Sequence, residues 1–89
     1  MKVRTHKFNG VKYTLDIYDV AYGSCDFPRN KKVDPEIVVN CDWGSKRWLI
    51  TFIHEALHAE DWRKSEGVVT RTAEEIGEAL WRTGWRNNT

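Results

Sequence analysis

Apolar and polar residues alternate in the first part of the chain. Single polar residues separate four apolar ones, Val11, Tyr13, Leu15 and Ile17. This period of two predicts a strand with one buried face. Asn9-Gly10 precedes it and is a strong signal for a hairpin turn. Residues Arg4–Phe8 are therefore predicted to pair with this strand as a short edge strand.

The next segment contains a break and a second strand. Residues from Ala21 to Pro35 carry glycine, two prolines and several charges, which predicts a loop. Glu36–Cys41 contains three consecutive β-branched apolar residues, and it predicts a strand.

The apolar spacing then changes to that of helices. A first helix is predicted from about Ser45, a plausible N-cap, to about Trp62. It is expected to be largely buried, because apolar residues surround its polar ones. These apolar residues are Leu49, Ile50, Phe52, Ile53, Ala56, Leu57 and Ala59.

A second helix is predicted from about Ser65, again a suitable cap, to Thr83. Gly84 suits the C′ position, and Trp85 is expected to pack back. The apolar face of this helix is predicted to contain Val69, Thr72, Ala73, Ile76, Leu80 and Thr83, with Val68 and Ala79 at its margin.

These elements predict one α+β domain over residues 1–89, with an N-terminal hairpin and a short mixed sheet of about three strands on two main helices. The net charge of +1 gives no electrostatic case for nucleic acid or an anionic membrane as partner. No run approaches the ~18 apolar residues of a membrane span, and the start lacks the apolar core of a secretory signal. Cys25 and Cys41 lack C-x-x-C spacing and are expected to be reduced thiols of a cytoplasmic protein, with one disulfide or a second metal site as the alternatives.

The candidate chemistry lies in the first helix, in the sequence His54-Glu55-Ala-Leu-His58. Residues four apart share a helix face, so both imidazoles can bind one metal ion. Glu55 is about 100° of helical rotation from His54 and suits a general base for a metal-bound water. Buried histidines and a buried carboxylate are costly without such a partner. The pattern therefore predicts one catalytic Zn²⁺.

A catalytic zinc usually takes three protein ligands, so a third is expected downstream. Asp61 would have to curl back from the same helix. Glu66 and Glu75 lie on opposite flanks of the second helix, and a helical wheel does not choose between them. Glu66 shares its flank with the small residues Thr70, Ala73 and Gly77, which permit close helix approach, so Glu66 is favoured and Glu75 is the second choice.

The motif after Ile50-Thr-Phe-Ile53 resembles that of zincin metallopeptidases, and a glutamate from the next helix corresponds to the gluzincin variant. The chain is also similar, over most of its length, to small zincin-like proteins encoded by bacteriophages. Those proteins have an N-terminal hairpin, a strand before the motif helix, and a closing helix ending like Ala79-Leu-Trp-Arg-Thr-Gly84-Trp-Arg86.

The resemblance implies that His54 and His58 bind zinc, that Glu55 is the general base, and that the third ligand is early in the next helix, which supports Glu66. It also implies that the strand before the motif helix forms an edge that binds extended substrate, here through Ile37, Val38 and Val39. The expected activity is hydrolysis of peptide bonds in a protein or peptide substrate, in the host cytoplasm if the chain is phage-encoded.

Two other functions are compatible with the sequence. One is a non-catalytic, zinc-stabilised protein-binding module, in which a fourth protein ligand such as Asp61 would complete the site. The other is DNA association through a basic aromatic end, although its residues first suggest a capped helix terminus: Trp81, Arg82, Trp85 and Arg86. A peptidase also needs a second oxyanion donor, for which Tyr18, Tyr22 and His6 are candidates.

Overall fold

The computed structural model describes residues 4–18, 22–25, 35–40 and 44–85. Four strands and two helices follow one another along the chain: β1 Arg4–Phe8, β2 Val11–Tyr18, β3 Tyr22–Cys25, β4 Glu36–Asn40, α1 Lys46–Glu60 and α2 Glu66–Arg82. The predicted α+β class, with a small mixed sheet and two main helices, is confirmed. No helix in these described ranges is long and apolar enough to cross a membrane.

The N-terminal hairpin forms as the sequence predicts. β1 and β2 are antiparallel, with Phe8 opposite Val11. Asn9 and Gly10 have φ angles of 51° and 77°, which are the two positive values that a type I′ turn requires. The alternation in β2 places Tyr13 in the core, where it is completely buried.

The sheet has the order β1-β2-β4-β3. β4 is parallel to β2 and antiparallel to β3, so it is an interior strand. The expectation that Ile37, Val38 and Val39 form a substrate-binding edge is therefore wrong. Strands on both sides use the hydrogen-bonding groups of β4, and Ile37 and Val39 are only 1% and 0% exposed.

β3 was not expected, because it lies inside the segment predicted to be a loop. It forms the sheet edge beside β4, and α1 packs near both of these strands. The rest of the predicted loop, apart from Pro35, lies outside the described residues, as do Cys41 and Arg86.

α1 lies between the sheet and α2. Its buried residues are Trp48, Leu49 and Ala59, and the others named in the motif region are only half-buried. The prediction of a largely buried helix was therefore too strong, since one small sheet and one neighbouring helix cover only part of its circumference.

α2 meets α1 along Val69, Ala73 and Gly77, which are all buried. The predicted apolar face is partly wrong, because Ile76 and Leu80 are 43% and 39% exposed. The helix is rotated so that Gly77, which has no side chain, lies against Ile50. Close packing of the two backbones thus determines which face of α2 is buried.

Both helices start at the predicted serine caps, whereas α1 ends at Glu60, two residues before the predicted Trp62. The Ser45 hydroxyl accepts a hydrogen bond from Trp48 N–H, and the Ser65 hydroxyl accepts one from Val68 N–H. At the end of α2, Gly84 has a φ of 107°, and its N–H donates to the Trp81 carbonyl.

Trp85 completes this C-terminal motif. Its N–H donates to the Leu80 carbonyl at 3.0 Å, which is the pattern of a Schellman motif. Its ring stacks on Trp48, with centroids 5.9 Å apart and planes 2° apart, and Phe52 stacks against Trp48 as well. These stacked rings fix the end of α2 onto the start of α1.

Candidate metal centre

His54 and His58 project from the same face of α1, one turn apart. Their ring centroids are 4.9 Å apart and their planes meet at 67°. The side chains are 22% and 15% exposed, so both rings are largely covered while the site keeps some access to solvent. The i, i+4 spacing predicted from the sequence therefore brings the two imidazoles together.

Glu66 closes the group from the first position of α2. Its Oε1 atom lies 2.9 Å from His54 Nε2 and 2.7 Å from His58 Nε2. The five-residue connection between the helices reverses the chain, and the Ser65 cap starts α2 at Glu66. Hydrogen bonding to His58 is the largest cause of the lowered pKa of Glu66, so this carboxyl favours its ionised form beside the histidines.

The three side chains fit a metal ion. One ligand atom from each of His54, His58 and Glu66 can be chosen so that all lie within 4.8 Å of one another. Two imidazole nitrogens and one carboxylate oxygen are a donor set that zinc accepts, and tetrahedral coordination at ~2.0–2.1 Å would separate the donors by about 3.3 Å. The two distances from Glu66 Oε1 to the imidazole nitrogens, 2.9 and 2.7 Å, would have to lengthen by about 0.5 Å, and Glu66 can move because its side chain is 71% exposed.

Glu55 lies beside this group and is half-buried. Burial raises the pKa of its carboxyl, the charges of His54 and His58 oppose that rise, and the charge of Glu66 adds to it. Glu55 is therefore close enough to all three side chains to respond to their charges. A carboxylate with a raised pKa accepts a proton more readily than an exposed glutamate does.

The structure separates the other candidate ligands from this group. Asp61 ends α1, and its carboxylate accepts hydrogen bonds from the backbone and guanidinium of Arg63, at 2.9 and 3.0 Å. Those bonds lower the pKa of Asp61. Glu75 is exposed on α2, more than two turns beyond Glu66. Among the described residues, only His54, His58 and Glu66 converge in this way.

Two aromatic residues beside the site were not identified from the sequence. The indole of Trp62 stacks on the His58 imidazole, with centroids 5.2 Å apart and planes 16° apart. Its Nε1–H donates to the hydroxyl of Tyr13 at 3.2 Å. Helical spacing does not explain this contact, because α1 ends at Glu60 and Asp61 has extended backbone angles, so Trp62 lies beyond the helix that carries His58.

The proposed oxyanion donors receive no support here. His6 is exposed on β1 and its ring contacts Phe8. The side chains of Tyr18 and Tyr22 lie outside the described part of the chain, as does that of Cys25. The aromatic end of α2 is used for packing, since Trp81 and Trp85 both contact the core.

Comparison with known proteins identifies no relative: no family model, no curated protein and no solved structure matches this chain.

Proposed function

We propose that this protein is a minimal zincin-like metallopeptidase that binds one Zn²⁺ through His54, His58 and Glu66. The observation that carries the proposal is the convergence of those three ligands beside Glu55, whose pKa is raised by burial. A metal site with an adjacent base is the arrangement needed for hydrolysis by an activated water.

Zinc would supply Lewis acidity, which acidifies a water molecule and polarises the scissile carbonyl. Glu55 would take the proton as the water oxygen adds to the carbonyl carbon. It would then deliver that proton to the amine nitrogen as the C–N bond breaks. The raised pKa suits both steps, because the carboxyl must accept a proton and later release it.

The ligand number favours catalysis over a purely structural zinc. Structural zinc sites are usually closed by four protein ligands, whereas catalytic sites have three and an open position. In the described ranges the group contains three residues, and the carboxylate of Asp61 is bound to Arg63. The alternative, a zinc-stabilised protein-binding module, would require a fourth ligand.

An extended peptide would need an open sheet edge near the motif helix. β4 cannot provide it, since it is paired on both sides. β3 is the edge strand near α1, and a substrate strand added to its outer side would be bound through backbone hydrogen bonds. Such binding would depend little on substrate sequence. We place the reaction in the cytoplasm, in keeping with two cysteines that lack the spacing of a redox or metal motif.

The proposal is tested with Glu55→Gln, Glu66→Gln and, as a matched control on the same helix, Glu75→Gln. Zinc content is measured by mass spectrometry, and cleavage of a peptide library is measured with zinc supplied. Glu55→Gln should bind zinc normally and lose activity by ~10²–10⁴-fold, as expected for removal of a general base. Glu66→Gln should lower zinc content, and Glu75→Gln should change neither quantity.

Two results would contradict the proposal in different ways. Full activity in Glu55→Gln would rule out Glu55 as the base. A wild-type protein that binds zinc with a fourth protein ligand, and cleaves no member of the library, would instead favour the binding module.

A further inference from the structure

The imidazole of His58 is fixed from one side by an aromatic ring. Trp62 lies just beyond the end of α1, and its indole stacks nearly parallel to His58, with planes 16° apart. This offset stack, with ring centroids 5.2 Å apart, restricts rotation of the imidazole about its bond to Cβ, because tilting the ring would drive it into the indole. The Nε2 atom of His58 meanwhile points at Glu66.

Trp62 is itself held by a residue of the sheet. Its Nε1–H donates to Tyr13, which is completely buried in β2 and makes an edge contact with Phe8. Trp62 also lines a cavity of about 390 Å³ between the hairpin and the end of α1. Side chains do not enclose the indole where it faces this cavity, so the hydrogen bond to Tyr13 helps to hold the ring in place there.

The second ring nitrogen of His58 lacks the usual means of orientation. Metal-binding histidines almost always donate their other ring N–H to a carboxylate, carbonyl or water, and that bond sets the plane of the ring. His58 Nδ1 is buried and has no hydrogen-bond partner among the residues that the structure describes. Besides the edge contact with the His54 ring and the contact of Nε2 with Glu66, the stack with Trp62 is positioned to set the plane of this imidazole.

We infer that Trp62 is a positioning residue for the candidate metal ligand His58, and that Tyr13 holds Trp62 in place. The inference rests on the proposed metal centre. It assigns to ring stacking the role that an outer hydrogen bond has in other histidine–metal sites. If Trp62 only filled space, its removal would lower the stability of the fold without selectively weakening the metal site.

The test compares zinc affinity, measured by competition with a chelator, and the visible absorption of the Co²⁺-substituted protein, which reports ligand geometry. Trp62→Leu removes the stacking face, and Trp62→Phe keeps an aromatic face without the N–H. Trp81→Leu is the matched control, since it makes the same change at the far end of α2, roughly 22 Å of helix from Glu66. Tyr13→Phe removes the acceptor of the Trp62 hydrogen bond and retains the ring in the core.

Trp62→Leu should bind zinc about 10-fold more weakly or worse, which is the lower end of the range for loss of an outer partner of a metal ligand, and its Co²⁺ spectrum should shift. Trp62→Phe and Tyr13→Phe should fall between Trp62→Leu and the wild type. Trp81→Leu should bind zinc within two-fold of the wild type, whatever its effect on the unfolding midpoint of the metal-free protein.

Several outcomes would overturn the inference. One is wild-type affinity and spectrum in Trp62→Leu, and another is a loss of affinity in Trp81→Leu as large as that in Trp62→Leu. If Trp62→Leu does not fold, wild-type zinc affinity in both Trp62→Phe and Tyr13→Phe would overturn the inference. A wild-type protein that fails to bind zinc would refute the proposed metal centre. That result differs from one in which the wild type binds zinc and only the role of Trp62 fails.

Discussion

The contact between Gly77 and Ile50 sets the distance between the two helices that carry the candidate ligands. A Cβ atom added at Gly77 would lie 2.5 Å from Ile50 Cγ1 and 3.4 Å from Ile50 Cα. Carbon atoms pack best at ~3.5–4.0 Å, so Gly77→Ala creates an overlap of about 1 Å. Cγ1 is bonded directly to the β-carbon of a β-branched side chain, which has essentially one favoured χ1 rotamer in a helix. The helices must therefore move apart or Ile50 must adopt a poor rotamer.

Two opposing effects decide the size of the change. Overpacking of this kind costs ~1–3 kcal/mol, whereas replacing glycine by alanine inside a helix gains about 1 kcal/mol. The overlapping atoms of Ile50 lie close to its backbone, so rotation at the tip of its side chain cannot relieve the overlap. The cost of overpacking should therefore exceed the gain in helix propensity. We expect Gly77→Ala to lower the free energy of unfolding by about 1 kcal/mol net, and by no more than ~2 kcal/mol.

Gly67→Ala provides the matched control in the same helix. No atom lies within 4 Å of a Cβ placed at Gly67, so only the backbone effect remains, and the variant should be more stable than the wild type by roughly 0.5 kcal/mol. Urea unfolding of metal-free protein, followed by circular dichroism, measures both changes. Equal stabilisation by the two alanines would refute the reasoning, because it would mean that Ile50 yields without cost.

Two further predictions concern Ser65 and Glu55. Ser65→Ala removes the acceptor of the Val68 N–H bond and should lower the free energy of unfolding by about 1 kcal/mol. Thr70→Ala, at an exposed position inside α2, should leave it unchanged or slightly raised in the same urea experiment, because alanine has the higher helix propensity. An equal loss of stability in both variants would argue against the cap. Burial raises the pKa of Glu55 in the folded protein above its ordinary value of 4.5. The ionised carboxylate therefore lowers the stability of the fold at pH values above its folded-state pKa, and this loss of stability disappears as the pH falls to the pKa of the unfolded state. Metal-free Glu55→Gln should therefore be more stable than the wild type at pH 7, with the difference shrinking as the pH approaches 4 in thermal melts, and a difference that is constant with pH would contradict this assignment.

The helices could be predicted because their signals are local. Ser45 and Ser65 are caps that act within three residues, and Gly84 adopts the positive φ that its sequence position suggests. The grouping of His54, His58 and Glu66 was also accessible, since helical periodicity and one short connection bring them together. The small residues Ala73 and Gly77 indicated close approach of α2, and the structure has that approach.

The order of the strands could not be predicted, because strand pairing joins distant segments. Tyr22–Cys25 contains glycine and serine and has no alternation, so only its pairing with β4 makes it a strand. The run Ile37-Val38-Val39 contained a usable signal that was misread. Consecutive apolar residues are typical of the central strands of a sheet whose two faces are covered. β4 is central, between β2 and β3, although Val38 on its other face is only half-buried.

Burial on α2 was misjudged for a related reason. Ile76 and Leu80 are more hydrophobic than Gly77, and a pattern based on hydrophobicity places them at the centre of the buried face. Contact between helices depends also on shape, and Gly77 allows the backbone of α2 to approach Ile50. Hydrophobicity alone therefore favours the wrong face of the helix.

The short connection between α1 and α2 has a consequence for the order of folding. The candidate ligands are at most 12 positions apart in the chain, whereas the parallel pairing of β2 with β4 joins Thr14 to Glu36, and the rest of β2, β3 and the segment before β4 lie between these two residues. Local contacts form faster than those that require closure of a long loop. The candidate metal-binding residues should therefore come together with the helical pair before the sheet is complete, and an ion present while the full-length chain refolds would meet its ligands before β2 pairs with β4.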